Sequence, residues 1–365
     1  MPCHRDGRQI APRGTCKVIE IDGSLYSGSG TLLRHAVALA TLLGEPLQMT
    51  RIRAGREKPG LRPQHLQAVR ACCRLSDGKA EGAEAGSQEI FYKPGKSLRY
   101  GDLDFNIGTA GSATMLAFTL IPLALFAGGP SSLSLSGGLF QDFAPGAFHL
   151  QKVLLPLLRR MGADMQIEMH RPGYVPKGQG KLGVEVSPLK SPLKPLRMLD
   201  QGAIREIRGI SLASHLAKEQ VGKRMADQCE KLLTPRGYRP RIETIDDETA
   251  LQKGAALALW AETETGCIIG ADQAGAPGRR SEEIARSVVS SLLEDLATRA
   301  TTDRHLADQL ILFAALAEGT TQYLIPMMTD HIQSNLWLVD RILGVKPELN
   351  GNLLTIHGIG FQKAG

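Results

Sequence analysis

Two hydrophobic periods take turns along this chain, and the way they alternate predicts its fold. Lys17-Val18-Ile19-Glu20-Ile21 alternates apolar and polar positions as a strand does. From Thr31 to Leu43 the apolar residues recur at helical spacing and stop at Gly44, a residue suited to the left-handed turn that closes many helices. A strand from Leu47 to Arg53, a loop containing Gly55, Pro59, Gly60 and Pro63, and a helix from Pro63 to Leu75 come next. Strands around 79–84 and 89–92 complete an order of βαβαββ.

The same order returns twice. In the second unit Gly108 to Ser112 opens a helix to Ala127, a strand covers Ser132–Leu135, and a loop spans Gly137 to Gly146. A helix from Ala147 to Met161 ends at Gly162, followed by strands at 164–169 and 182–186. The interval from the helix-stopping glycine to a His-Leu-Gln triplet is 21 residues in both units, Gly44 to His65 and Gly128 to His149. The third unit is expected to start near Asp303, with its first helix ending at Gly319, and to place His331-Ile332-Gln333 at the head of its second helix. Strands near 345–349 and 353–357 finish it. Such self-similarity argues for duplicated units.

Between the second and third units lies a segment introduced by the proline-marked linker from Ser187 to Leu196. It predicts a helix from Ser214 to Leu233, strands at 239–244 and 255–262, a glycine-rich turn from Gly270 to Gly278, and a helix from Ser281 to Ala297. The expectation is an α/β (α+β) protein in which three repeated βαβαββ units form a large domain, 17–187 and 284–365. A smaller α/β domain, 188–283, is inserted, and a basic tail occupies 1–16.

Composition narrows the function classes. A chain of 365 residues, 42% apolar and 22% charged, is that of a globular protein able to bury a sizeable core. The longest apolar run, Ala113 to Ala127, is interrupted by Thr119 and Pro122 and is too short for a bilayer, so no membrane partner is expected. Residues 1–16 carry no hydrophobic leader, and the six cysteines show no metal spacing; reduced thiols in a cytoplasmic protein are expected.

Charge changes the picture more. Between Arg51 and Arg74 seven basic side chains face one acid, Glu57, a surplus equal to the net +6 of the whole chain. Glycines and prolines make the first half of that stretch a loop, so its cations converge on a turn, as a polyphosphate or nucleic-acid ligand requires. The other candidate is His331, at a strand-to-helix junction of the kind that presents side chains to ligands.

These residues resemble one family over nearly the whole chain from Ile19. Its most specific pieces are Ile19-Glu20-Ile21-Asp22-Gly23-Ser24 with Leu32-Leu33-Arg34, and the run from Ile52 to Leu61. Gln64-His65-Leu66, Gly86-Ser87-Gln88, Ala110-Gly111-Ser112, Leu306-Ala307-Asp308-Gln309-Leu310, and His331 with Asn335 add to it. The resemblance is to the RNA 3′-terminal phosphate cyclases. It implies that ATP adenylylates His331 and that AMP passes to an RNA 3′-phosphate. The neighbouring ribose 2′-hydroxyl then closes a 2′,3′-cyclic phosphate and releases AMP. It further implies that His305, Leu306, Ala307, Asp308 and Gln309 line the ATP pocket, that Arg53, Arg56 and Gln64 face phosphates, and that Mg²⁺ or Mn²⁺ accompanies ATP.

The chain departs from the pattern the resemblance implies. Ser27 stands for a glutamate beside nucleotide and metal, Leu25 and Thr31 for flanking glutamines, and Phe118 for a nucleotide-contacting glutamine. His305 occupies a position usually tyrosine, and Gly137-Gly138-Leu139 replaces Gly-Gly-Thr. Losing the carboxylate weakens an expected cation site. A catalytically impaired RNA-binding factor in ribosomal RNA processing is the alternative that Ser27 and Phe118 favour and His331 opposes. An enolpyruvyl-transferase-like enzyme, also built on βαβαββ units, would need a dense Lys/Arg/Asp cleft.

Overall fold

The computed structural model describes residues 17–363; the expected tail at 1–16, with Cys3 and Cys16, lies outside them. Chain order is β1 (Ile19–Asp22), α1 (Gly30–Leu43), β2 (Leu47–Thr50), α2 (Pro63–Ser76), β3 (Lys79–Glu81) and β4 (Ile90–Lys93). Then come β5 (Gly101–Asn106), α3 (Ala113–Leu125), β6 (Ser131–Gly137), α4 (Ala147–His149), a π-turn at Leu150–Leu154 and α5 (Leu155–Arg160). The strands β7 (Met165–Arg171), β8 (Gly180–Val186) and β9 (Arg197–Met198) lead to β10 (Ile204–Ser214) and α6 (Val221–Leu233). Next are β11 (Arg241–Asp247), β12 (Gly254–Thr263), β13 (Ile268–Ala274) and α7 (Ser281–Ala297). The chain finishes with α8 (Leu306–Leu316), β14 (Glu318–Leu324), α9 (Asp330–Leu343), β15 (Glu348–Asn350) and β16 (Leu353–Ile359).

These strands make four sheets of four. Three share one order: β1-β2-β4-β3, β5-β6-β8-β7 and β9-β14-β16-β15. In each, the first two strands run parallel and the rest antiparallel. A parallel pair needs a crossover, and α1 and α3 supply it in the first two. In the third, the crossover from β9 to β14 contains the entire fourth sheet, β11-β10-β12-β13, with α6, α7 and α8.

That arrangement corrects several expectations. The third sheet begins at Arg197–Met198, paired with Gln322 and Tyr323, rather than near Asp303. The expected boundary at 283/284 falls inside α7, which packs on α6, β12 and β13. The helix expected from Ser214 starts at Val221, because 204–214 continues as a strand paired on both sides. The glycine-rich stretch from Gly270 is largely strand β13: a Cβ at Gly270 would meet Val153 Cγ2 at 2.6 Å, so this glycine serves close packing, not a turn. Likewise α8 stops at Leu316, and Gly319 belongs to β14.

The core is shared. α1 is buried along nearly its whole length and packs on α2, α3 and α9, while α8 packs on α9. A buried knot pins the head of α8. Asp303 Oδ1 accepts from the backbone N–H of His305 (2.9 Å) and Leu306 (2.8 Å), capping the helix, and Asp303 Oδ2 accepts from Gly270 N–H of β13 at 2.9 Å. His149 Nε2 lies 3.2 Å from both carboxylate oxygens. Burial alone would depress the His149 pKa, but Asp303 outweighs it and raises it above the ordinary 6.5.

Breaking such a buried pair on one side costs about 3–5 kcal/mol. Asp303→Ala is therefore expected to lower the unfolding free energy by a comparable amount, read as a lower denaturant midpoint at unchanged m-value. The His149 contribution is complete below pH 6.5, its unfolded value, and fades as pH rises through its higher folded value. A urea titration series from pH 6 upward checks this: wild type loses more stability across that window than Asp303→Ala does.

Candidate active site

Five helices aim their first two turns at one cavity of about 480 Å³. α1 contributes Gly30, Thr31, Arg34 and His35; α2 contributes Gln64 and His65; α3 contributes Met115 and Phe118. α8 brings Asp308 and Gln309 behind its cap His305, and α9 brings His331 and Asn335. Helix N-termini carry unpaired N–H groups and a partial positive charge, so their convergence favours an anion. Local sequence builds these ends: Ser29 Oγ accepts from Thr31 N–H, Ser112 Oγ from Met115 N–H and Thr329 Oγ1 from Ile332 N–H.

Side-chain charge reinforces the backbone. Arg34 is buried, and burial pulls its pKa down to about 10; its Nη2 donates to Thr31 Oγ1 at 3.3 Å and its Nε has no partner among the described residues. Arg53 and Arg56 enter from the basic loop. Arg53 has a φ of 54°, and its Nη1 holds the loop by donating to the carbonyls of Lys58 (2.7 Å) and Gly60 (2.9 Å). Arg56 Nη2 donates to Ser27 O at 2.9 Å. Two histidines beside these cations stay neutral: burial, then Arg34, brings His35 to about 3 and His65 to about 2.

His331 is exposed at the cavity wall, with Nδ1 3.3 Å from Thr31 Oγ1. Desolvation, followed by Arg34 and Arg56, holds its pKa below 6.5. Asn335, one turn later, bridges two neighbouring helices. Its Oδ1 lies 3.0 Å from His35 Nδ1 and its Nδ2 donates to Asp308 O at 3.1 Å.

The sequence-predicted residues divide cleanly. His331, His305, Asp308, Gln309, Arg53, Arg56 and Gln64 all line the cavity. Leu306 and Ala307 are wholly buried in the core and do not, because at 100° per residue five consecutive helical positions cannot share a face. The seven-cation surplus also splits. Arg51 pairs with Asp22, and Arg74 lies over the Phe105 ring, 5.2 Å from its centroid. His35 and Met115 also line the cavity, with no sequence signal to mark them. Arg34 has a signal, a charge within an otherwise apolar helix stripe, and Phe118, where the resemblance implies a glutamine, lines the cavity while packing against His35 and Phe313.

The donor set does not make a resident cation site. Among the described residues no three His, Cys, Asp or Glu side chains gather as ligands. Among the described residues Asp308 is the one carboxylate on the cavity wall, and burial beside Asp303 pushes it up to about 7. Ser27 is occupied in a hydroxyl cluster, 2.7 Å from Ser334 Oγ and 3.0 Å from Ser29 Oγ.

Residues 25–349 match the family described as RNA 3′-terminal phosphate cyclase. A curated protein of that name from Pyrobaculum neutrophilum is 35% identical over 347 residues, 94% of this chain and 99% of the relative. Namesakes from Methanopyrus kandleri and Archaeoglobus fulgidus are each 36% identical, covering 92% and 93% of this chain and 96% and 100% of their own. A solved enolpyruvyl transferase, NikO from Streptomyces tendae, is 12% identical with a TM-score of 0.37 over 94% of this chain and 48% of its own, too slight a likeness to argue from.

The raised Asp308 pKa makes a prediction about stability. An aspartate folded at about 7 against an ordinary 3.8 holds an extra proton in the folded state between those values, so stability falls as pH rises through that window. Asp308→Asn is expected to flatten the decline in melting temperature between pH 4 and 7; an unchanged slope in that variant refutes the assignment.

Proposed function

This chain belongs to the RNA 3′-terminal phosphate cyclase family, and from that premise we propose that its cavity converts an RNA 3′-terminal phosphate to a 2′,3′-cyclic phosphate at the expense of ATP. The observation that carries the reading is one neutral imidazole, His331, opening onto three arginines at converging helix N-termini. With Nδ1–H donating to Thr31 Oγ1, the Nε2 lone pair faces the substrate.

Nε2 attacks the α-phosphorus of ATP, the bond to the β-phosphate oxygen breaks, and pyrophosphate leaves with both electrons. The adduct is a phosphoramidate with one negative charge on its phosphoryl oxygens; a proton lost from Nδ1 on its formation returns to Nδ1 when the ring leaves, so the leaving group in the next step is neutral imidazole. Arg34, Arg53 and Arg56 offset the charge gathering on the phosphates, the electrostatic work that dominates phosphoryl transfer. The RNA 3′-phosphate oxygen next attacks the same phosphorus and displaces the imidazole. AMP is now the leaving group that a bare phosphate monoester lacks. The 2′-hydroxyl closes the ring, loses its proton and expels AMP. The phosphates of Mg·ATP, rather than a protein cluster, are the main ligands available to a divalent cation, with Asp308 within the same cavity.

The alternative, an RNA-binding factor with little catalysis, draws support from Ser27, whose hydroxyl is tied to Ser334 and Ser29 and replaces a carboxylate. Incubation with α-labelled ATP separates the two. Acid-labile label on wild type that disappears in His331→Ala supports the cyclase; no label with Mg²⁺ or Mn²⁺ supports the factor.

Two quantitative outcomes follow from the geometry. Arg34→Gln is expected to slow label formation about 100-fold, the scale seen when one preorganised donor is lost. Because desolvation and the arginines hold His331 below 6.5, the acid limb of the labelling rate has its midpoint below pH 6.5, and Arg56→Gln moves it upward.

A further inference from the structure

Beside the cavity, on the outer side of the turn between β1 and α1, stands an aromatic pair that the chemistry above does not use. Tyr26 is 53% exposed and Leu25 38% exposed, although both lie in a turn whose inner residues line the site. Tyr26 also holds a φ of 51°, a left-handed conformation that side-chain-bearing residues rarely adopt and glycine adopts freely. A large ring is thus kept in water, on a backbone that disfavours it. It leans on Trp337 of α9, ring centroids 5.6 Å apart at 42°.

The pair continues into a shallow groove of about 550 Å³ bordered by Leu25, Trp337, Thr50 and Arg341, with Glu20 and Asp22 on the β1 side. Asp22 is already paired with Arg51. The platform is coupled to the cavity through the next residue. Ser27 O accepts from Arg56, a cavity arginine, and Ser27 N–H donates to Ser334 Oγ at 3.2 Å, one turn after His331. An aromatic face with arginines at its margin is the combination that single-stranded nucleic acid uses, bases stacking while cations follow the backbone.

The geometry points to Tyr26 and Trp337 as a stacking platform for a base upstream of the terminal nucleotide in a single-stranded RNA whose 3′-phosphate lies at His331. This rests on the cyclase reading for the identity of the strand. It predicts preference for an oligonucleotide over a mononucleotide, with little regard for base, because stacking is tolerant of sequence.

The test reads binding, so it does not depend on turnover. Fluorescence anisotropy would be followed with a labelled, 3′-phosphorylated single-stranded octaribonucleotide, and a nucleoside 3′-phosphate would compete for the terminal subsite. Tyr26→Gly removes the ring while suiting the left-handed backbone, so the turn keeps its shape. That variant is expected to bind the octaribonucleotide about tenfold more weakly, the scale of one lost stack, with the nucleoside 3′-phosphate unaffected. Tyr26→Phe restores the affinity. Equal octaribonucleotide binding by wild type and Tyr26→Gly overturns the inference, as does an equal loss for both ligands. Labelling of His331 from ATP, run in parallel without RNA, reports on the cyclase reading separately.

Discussion

The candidate site depends on one amide. Asn335 on α9 reaches His35 of α1 through its oxygen and the Asp308 carbonyl of α8 through its nitrogen. Those three helices belong to the first and third sheets, so this bridge fixes His331, one turn before Asn335, relative to Arg34 and Asp308. Both halves of the amide are used, which sets its orientation and leaves His35 donating from Nδ1. A shift of either neighbouring helix would strand a buried polar group, and that cost keeps the junction in register.

Around this junction the cavity concentrates positive charge without a partner. Arg34 is buried with no carboxylate among the described residues hydrogen-bonded to it, two adjacent histidines are driven to neutrality, and Asp308 tends to hold a proton near pH 7. Desolvated cations of this kind are costly to the free protein. A bound polyphosphate relieves that cost, so the same arrangement that strains the fold strengthens binding of an anion. Nearby, at the base of α8, the His149 and Asp303 side chains form a buried pair of opposite charge.

The two His-Leu-Gln triplets and the matching His331-Ile332-Gln333 show how far a pattern of residues reaches. Each histidine falls at the head of its unit's second helix, as their spacing predicts. Their environments differ entirely: His65 sits buried on the cavity wall, its Nε2 close against Gly30; His149 is paired with Asp303; His331 is exposed at the cavity wall. A repeat announces equivalent positions, while reactivity depends on which neighbouring elements cover each one. The departure at position 27 is similar. Its side chain is evident from the sequence, but its engagement with Ser334, more than 300 residues away, exists only in the folded chain.

Local periodicity determined the elements that obey it: α1 and its Gly44 cap, the helices at 63–76, 281–297 and 330–343, and the alternating strands of the first two sheets. The long matching blocks pointed to the family and contain half of the residues that line the cavity. Tertiary structure alone decided the rest. It placed β9 ahead of the inserted sheet, turned 204–214 and 268–274 into strands despite their small residues, and sent Leu306 and Ala307 to the core while Asp308 and Gln309 met the cavity. The physical reason is common to all of these. A strand gains its stability from partners distant in sequence, and a side chain's role is set by what packs across from it, neither of which any local window of residues contains.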